Sequence, residues 1–469
     1  MDNLIHHTAS DIVLALRRET ISPLQCLDAL EQRIVSVNSK VNALVTLCFD
    51  RARQQATNLM QKPAHERGLL CGLPIPIKDL TDVKGVRSTQ GSRIFADRIA
   101  SESDILVKHL EAEGGLIYAM SNTPEFGAGA QTFNDVFGIT RNPWNTALTP
   151  SGSSGGAAVA LATGMAWLAH GSDMGGSLRN PASFCGVVGL RPSPGRVAAT
   201  VTGKIDSTLG LEGPMARNVT DLCLLLDAMS GFEQGDPLSL HRDKHSFSSV
   251  MDNHWKPKRV AFSRDLGITP VDPEVAAIAE AAAKALEASG VMVEEAHPDL
   301  REAMACFQTL RALSFATGLG SLLKNHRDKL KPEVVWNIEK GLALTVDDIA
   351  KAESQRGALF HRMNDFLHHY DALLCPATIV PPFPVEQRFP THCNGVEFET
   401  YVDWLLIVAV ATLCACPAIS IPCGFTTIGL PVGLQIIGPN RGEAKLLAVA
   451  KYAEDVLDLG SITPIDPRP

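Results

Sequence analysis

"TPSGSSGGAAVA", residues 149–160, sets three serines among glycines and then turns abruptly to small apolar residues. Two readings compete for it. In one, Gly152-Ser153-Ser154-Gly155-Gly156 is the G-x-S-x-G turn of a nucleophile elbow. In the other, Ser153 or Ser154 caps a helix that starts near Gly155 and stops at Gly164. An elbow requires a strand directly before Gly152, and an acid and a histidine later in the chain. The preceding "RNPWNTALTP" (141–150) holds two prolines and no alternation, and the surroundings of His392 do not read as a strand-end loop. The elbow fails on context, and the stretch opens a helix.

Helix and strand signals alternate on both sides of it. Upstream, "LVKHLEAEGG" (106–115) reads as a helix closing on glycine, followed by the strand "LIYAM". Downstream, "AWLAHGSD" (166–173) reads as a strand. Nearer the N-terminus, Ser22 and Pro23 read as N-cap and first helical position, with Leu27, Leu30 and Ile34 on one face. "CGLPIPIKDL" (71–80) is short and apolar, with prolines suited to an edge strand. Asp272-Pro273 opens a helix running to Gly290 between strands "RVAF" and "VMVEEA", a β-α-β unit. "PAISIPCGF" and "LPVGLQIIG" form two β segments around a turn at Thr426 to Gly429, and "GEAKLLAVAKYAEDVL" closes the chain as a helix. The class is α/β. Residues 232–257 are polar and read as a surface excursion.

Composition narrows the function. Of 469 residues, 45% are hydrophobic and 20% charged, with a net charge of −9 and no run of like charges. That argues against nucleic-acid and anionic-membrane binding. "MDNLIHHTAS" lacks the basic start and apolar core of a signal peptide. The longest apolar run, Trp404 to Cys416, ends at Pro417, short of the roughly 20 residues of a membrane span. The eleven cysteines are scattered, which fits reduced thiols and a cytoplasmic location. Cys414-Ala415-Cys416 has no second Cys/His pair, and neither H-E-x-x-H nor a phosphate-binding glycine loop occurs, so no metal and no cofactor is expected.

A serine hydroxyl needs a base to activate it and donors for the oxyanion that forms. A second glycine-serine stretch, "HGSDMGGSLRNPASFCGVVGLRPSPGR" (170–196), follows a strand and leaves backbone N–H groups accessible at Met174-Gly175-Gly176-Ser177. His170 reads as a strand cap. The remaining base is Lys78, unusual in so apolar a strand. Burial disfavours its ammonium, and service near neutrality requires a fall from about 10.4 to about 7–8. The alternative is a lysine that reaches solvent or pairs with Asp79.

"LPIPIKDL", "SGSSGGAAVA" and the 170–196 stretch together resemble the amidase signature family. The resemblance continues through "SNTPEFGAGAQTFNDVFGITRNPWN", "GPMARNVTDL" and "PAISIPCGFTTIGLPVGLQIIGP"; only residues around 300–400 match weakly. It implies a single domain over 1–469, a central mixed β-sheet covered by helices on both faces, and a substrate-shaping region around 300–400. It implies an amidase that cleaves the C–N bond of a small-molecule amide through a serine acyl-enzyme. Ser177 is then the nucleophile, Ser153 the bridging serine after a cis peptide from Gly152, and Lys78 the base. Backbone N–H groups of Met174, Gly175, Gly176 and Ser177 form the oxyanion hole, braced by Asp173 and Arg179. Ser154 sits beside Lys78 on the substrate side, and Gly127-Ala128-Gly129 lines the acyl side with room for a bulky or apolar group.

Three positions depart from the family pattern: Ser151 for a glycine, Met120 for a lysine, and "GLRPS" for "GLKPT". "SFCGVVGL" and "IPCGF" also resemble the glutaminase component of tRNA-dependent amidotransferases, but "RPSPGRVAATVTG" lacks the expected tyrosine-containing stretch. Intact Lys78, Ser153 and Ser177 argue against a non-catalytic scaffold. Ser321-Leu-Leu-Lys324 matches S-x-x-K, but no K-T-G follows. The N-terminal helices are a candidate homodimer interface.

Overall fold

The computed structural model describes residues 4–200, 205–250 and 255–469. Residues 1–3 of the N-terminal stretch, 201–204 of the segment after "GLRPS" and 251–254 of the polar excursion lie outside the described residues. Two sheets carry the architecture. The smaller holds β1 (Leu44–Leu47), β2 (Pro74–Lys78) and β3 (Leu116–Ser121) in the order β1-β3-β2. β2 is an edge strand, which is why Pro74 and Pro76 are tolerated there: a proline has no N–H to give a ladder. β2 runs parallel to β3, and helix Ile105–Ala112 lies between them in the chain, as parallel strands require.

The larger sheet holds eight strands: β4 (Leu168–Asp173), β5 (Val188–Arg191), β6 (Leu211–Ala216), β7 (Arg259–Phe262), β8 (Met292–Glu295), β9 (Leu373–Pro376), β10 (Ala418–Phe425) and β11 (Pro431–Ile437). Their order is β8-β7-β9-β11-β10-β5-β6-β4. The sheet is mixed. β7 pairs in parallel with β8 and β9, and the remaining neighbours are antiparallel. The expected β-α-β unit is present, its helix Pro273–Ala288 capped by the Asp272 carboxylate on the N–H groups of Glu274 and Val275. Helices flank the sheet. Gly155–Ala162 is buried at every position, as is Leu406–Leu413 from the apolar run. Among the described residues no helix is long and apolar enough to cross a membrane. The eleven cysteines are unpaired, and burial pushes thiols such as Cys416 up to about 12.

One arrangement positions the site. β2, at the edge of the small sheet, packs beside β4, at the edge of the large one. The seam runs between two edges, and the chain enters it at Lys78, Ser153 and Ser172. Residues 303–367 hold three helices, Ala303–His326, Pro332–Leu342 and Val346–Leu367; the second and third pack on the first, which also packs on helix Leu406–Leu413. Ser321 and Lys324 lie exposed on the first of them, and His392 is exposed on a two-residue strand.

Candidate active site

Lys78 is the last residue of β2 and is fully buried. Its Nζ stands 2.7 Å from Ser153 Oγ, 2.9 Å from Ser154 Oγ and 3.0 Å from Ser172 Oγ. Burial pulls the ammonium down to about 7, against the opposing pull of the Glu212 and Asp173 carboxylates. A shift of that size corresponds to roughly 5 kcal/mol of destabilised ammonium. Lys78 neither reaches solvent nor pairs with Asp79. The Asp79 carboxylate accepts from Thr89 N–H at 2.8 Å and Thr89 Oγ1 at 2.5 Å, and burial raises it to about 6.

The chemistry of the three hydroxyls is unequal. Ser154 Oγ donates to the Ser172 carbonyl at 3.2 Å, so its lone pairs are what face Lys78. Ser154 occupies the N-cap position of helix Gly155–Ala162, yet its side chain does not cap. It is fully buried and does not line the cavity, which corrects its expected place on the substrate side. Ser153 does face the cavity, and the peptide from Gly152 to Ser153 is cis. Gly171 keeps this corner open, because a Cβ there would stand 2.7 Å from Ser154 Oγ.

Ser177 lies half-buried on the cavity wall, and its carbonyl accepts from Ser154 N–H at 3.2 Å, tying the two serine loops together. The loop before it is held by Asp173. Its carboxylate accepts from Arg179 Nε at 3.0 Å and Nη2 at 2.9 Å, and from the N–H groups of Gly176 at 2.9 Å and Leu178 at 3.1 Å. Burial opposes the charge, but Arg179 and Arg191 outweigh it and hold the carboxyl at about 2. The Gly176 N–H is therefore committed to Asp173 and leaves the expected oxyanion donor set. Among the described residues no partner takes the N–H groups of Met174, Gly175 or Ser177. Arg179 also donates through Nη1 to the Val408 carbonyl at 2.8 Å and to Gln435 Oε1 at 2.5 Å.

The cavity in front of Ser153 and Ser177 measures about 340 Å³. Leu80, Phe126, Gly127 and Gly129 form one wall, and Val197, Leu211, Glu212 and Leu238 another. Arg311, Ser314 and Phe315 come in from helix Ala303–His326, with Leu405 beside them. Gly127 has φ +69°, and a Cβ there would stand 3.4 Å from Ser153 Oγ. Ala128 is fully buried and does not line the cavity, contrary to expectation: it packs with Phe315, Leu330, Val334 and Ile338, and its carbonyl accepts from the buried Lys331 Nζ. Of the departures from the family pattern, Met120 is a core residue. Arg191 places its guanidinium on the carbonyls of Asp173, Thr208 and Leu209. Ser151 sits at φ +63°, where glycine is the easier residue, with its Oγ donating to the Ala130 carbonyl at 3.2 Å.

Three side chains at this site lay outside the sequence expectations. Ser172 completes the shell of Lys78. His170 is not a strand cap: it is buried within β4 and accepts the Lys78 backbone N–H. Glu212 pairs with His170. Side chains two apart on a strand share a face, so "HGSD" already placed His170 and Ser172 together.

The sequence profile of the Amidase family matches residues 25–447. An acylamidase of Rhodococcus erythropolis is 34% identical over 469 residues, covering 99% of this chain and 98% of that protein. A glutamyl-tRNA(Gln) amidotransferase component of Halothermothrix orenii is 33% identical over 474 residues, covering 96% of this chain and 97% of that protein. The crystal structure of a bacterial aryl acylamidase of the amidase signature enzymes matches with a TM-score of 0.89 at 27% identity, covering 98% of this chain and 99% of that one. Fold and similarity agree on the class, a hydrolase that acts on amides. The chain belongs to the amidase signature family.

Proposed function

We propose that the protein is an amidase in which Ser177 attacks the carbonyl of a carboxamide, Ser153 relays the proton and neutral Lys78 receives it. The observation that carries this reading is the Lys78 shell. An ammonium has three N–H donors and finds three hydroxyl oxygens. When Lys78 is neutral, two N–H bonds remain on Ser154 and Ser172, and the lone pair faces Ser153, which lines the cavity together with Ser172 and Ser177 and follows directly on Gly152 of the same wall. Ser153 then gives its proton to Lys78 as it takes one from Ser177. The tetrahedral oxyanion is met by the N–H groups of Met174, Gly175 and Ser177. The proton returns through Ser153 to the leaving nitrogen, the C–N bond breaks, and water cleaves the acyl-enzyme to a carboxylic acid.

Leu80, Phe126, Phe315 and Leu405 give an apolar strip to a cavity that also holds Glu212 and Arg311, and the strip supports an apolar acyl group beside Gly127 and Gly129. The segment 300–400 shapes the entrance through Arg311, Ser314 and Phe315. The test is ammonia or amine release from aliphatic, aryl and fatty carboxamides and glutamine, combined with peptide mapping of a serine-directed covalent probe. The expected result is turnover of an apolar amide by the chain alone, abolished in Ser177→Ala, with the adduct on Ser177. Activity on glutamine only, or none without added proteins, transfers the assignment to the glutaminase component of an amidotransferase. An adduct on Ser153 or Ser154 overturns the relay.

A further inference from the structure

A backbone N–H at the end of an edge strand usually pairs with a carbonyl or with water. That of Lys78 pairs with an imidazole: it donates to His170 Nδ1 at 3.2 Å, across the seam between the two sheets. His170 is fully buried. For Nδ1 to accept, it must be unprotonated, so the ring proton lies on Nε2. Nε2 stands 2.6 Å from Glu212 Oε2 and donates to it. Glu212 lies on β6, opposite Ser172 in the β4–β6 register, so the carboxylate and the Lys78 shell share one neighbourhood. Its side chain is 21% exposed, on the cavity wall, and among the described residues no partner takes Oε1.

We propose that His170 and Glu212 are a positioning pair for Lys78: Glu212 fixes the imidazole as an acceptor, and the imidazole fixes the end of β2 that carries the base. This rests on Lys78 acting as the base. A doubly protonated His170 offers no acceptor and lets the Lys78 backbone go; an imidazole with its proton on Nδ1 does the same. Glu212 guards against the second case and, through its charge, also supports the Lys78 ammonium. The other groups facing Lys78 are Asp173 on β4, clamped by Arg179 and Arg191, and the hydroxyls of Ser153, Ser154 and Ser172. Asp79, next along the chain, is turned to Thr89, and Asp104 faces Glu212 from the start of helix Ile105–Ala112.

The experiment measures kcat and KM against pH for wild type, Glu212→Gln and Glu212→Leu on an amide that the wild type turns over, with thermal melts as folding controls. Gln keeps an acceptor for Nε2–H and removes the charge. Its kcat above pH 8 stays within about threefold of wild type, and the acid limb of kcat/KM moves down by about half a unit or more. Leu removes the acceptor. Its kcat falls about tenfold to a hundredfold, the range for losing the partner that orients an active-site imidazole, while KM changes less than about threefold. An unchanged kcat with a KM raised about tenfold makes Glu212 a substrate-binding carboxylate and overturns the proposal, as does no change in either constant. If the Leu variant does not fold, an unshifted acid limb in Glu212→Gln overturns it. Full activity of Ser177→Ala or Lys78→Met overturns the underlying mechanism instead, whatever Glu212 shows.

Discussion

Among the described residues the protein buries two lysines. Lys78 lies in the seam between the sheets and is drawn down to about 7; Lys331 lies under the Gly127–Gly129 strip and is drawn down to about 8. Burial is the leading cause in both, and nearby carboxylates oppose it in both: Glu212 and Asp173 at Lys78, Glu333 and Glu125 at Lys331. The shells differ. Lys78 has three hydroxyls, two of them, Ser153 and Ser172, on residues that line the cavity. Lys331 donates to the Ala128 carbonyl and sits 4.8 Å above the Phe133 ring. A carbonyl has no proton to pass and a ring has none to relay. Burial lowers the basicity of a lysine wherever it occurs; the neighbouring oxygen decides whether that becomes chemistry.

The comparison is broken most sharply by removing each lysine. Lys78→Met lowers kcat/KM by about 10²- to 10⁴-fold, the range for a positioned acid-base group. Lys331→Met stays within about tenfold. In wild type a protonated Lys78 has no lone pair, so kcat/KM falls tenfold per unit below about pH 7 and levels off above it. That limb survives in Lys331→Met. Equal losses in the two variants, or a rate flat through pH 7, defeat the distinction.

Asp173 sharpens it next. This carboxylate shares the surroundings of Lys78 and holds the loop of Ser177, whereas Glu125 and Glu333 hold the backbone and side chains around Lys331. Asp173→Asn strands Arg179 and Arg191 in the interior and costs about 3–5 kcal/mol in urea unfolding. A loss under about 1 kcal/mol shows that the loop is held otherwise. The smallest effect is at Ser151, two residues before Ser153. Ser151→Gly relieves the left-handed backbone while losing the bond to Ala130, so its net change lies within about 1 kcal/mol of wild type and above that of alanine. Ser151→Ala keeps the strain, loses the bond to Ala130 and is destabilised. Thermal melts that place Ser151→Gly at or below Ser151→Ala contradict this account.

Much of this was legible in the sequence, because glycine, proline and serine constrain the backbone locally. The prolines of "LPIPIKDL" announced an edge strand, and the helix after Gly155 followed from its alanines and its glycine stop. What stayed hidden depended on where side chains meet across the fold. His170 lies 92 residues from Lys78, and nothing local distinguishes a strand cap from an acceptor reaching across a seam. Ala128 carries its polar contact on the backbone, so its residue type does not reveal that it faces Lys331. Gly176 has an N–H that any glycine would offer, and only the folded loop commits it to Asp173. Arg311 and Phe315 stand in a helix whose pattern does not mark the cavity.

The bracing of Arg179 by Val408 and Gln435 has a consequence for synthesis. A polypeptide is made from its N-terminus, and its earlier parts begin to fold first. Lys78, Ser153 and Ser177 all precede residue 178, yet Arg179, which holds the Ser177 loop through Asp173, finds two of its acceptors only when residues 408 and 435 arrive. The loop that carries Ser177 is thus not fully braced by Arg179 until residues 408 and 435 have been made.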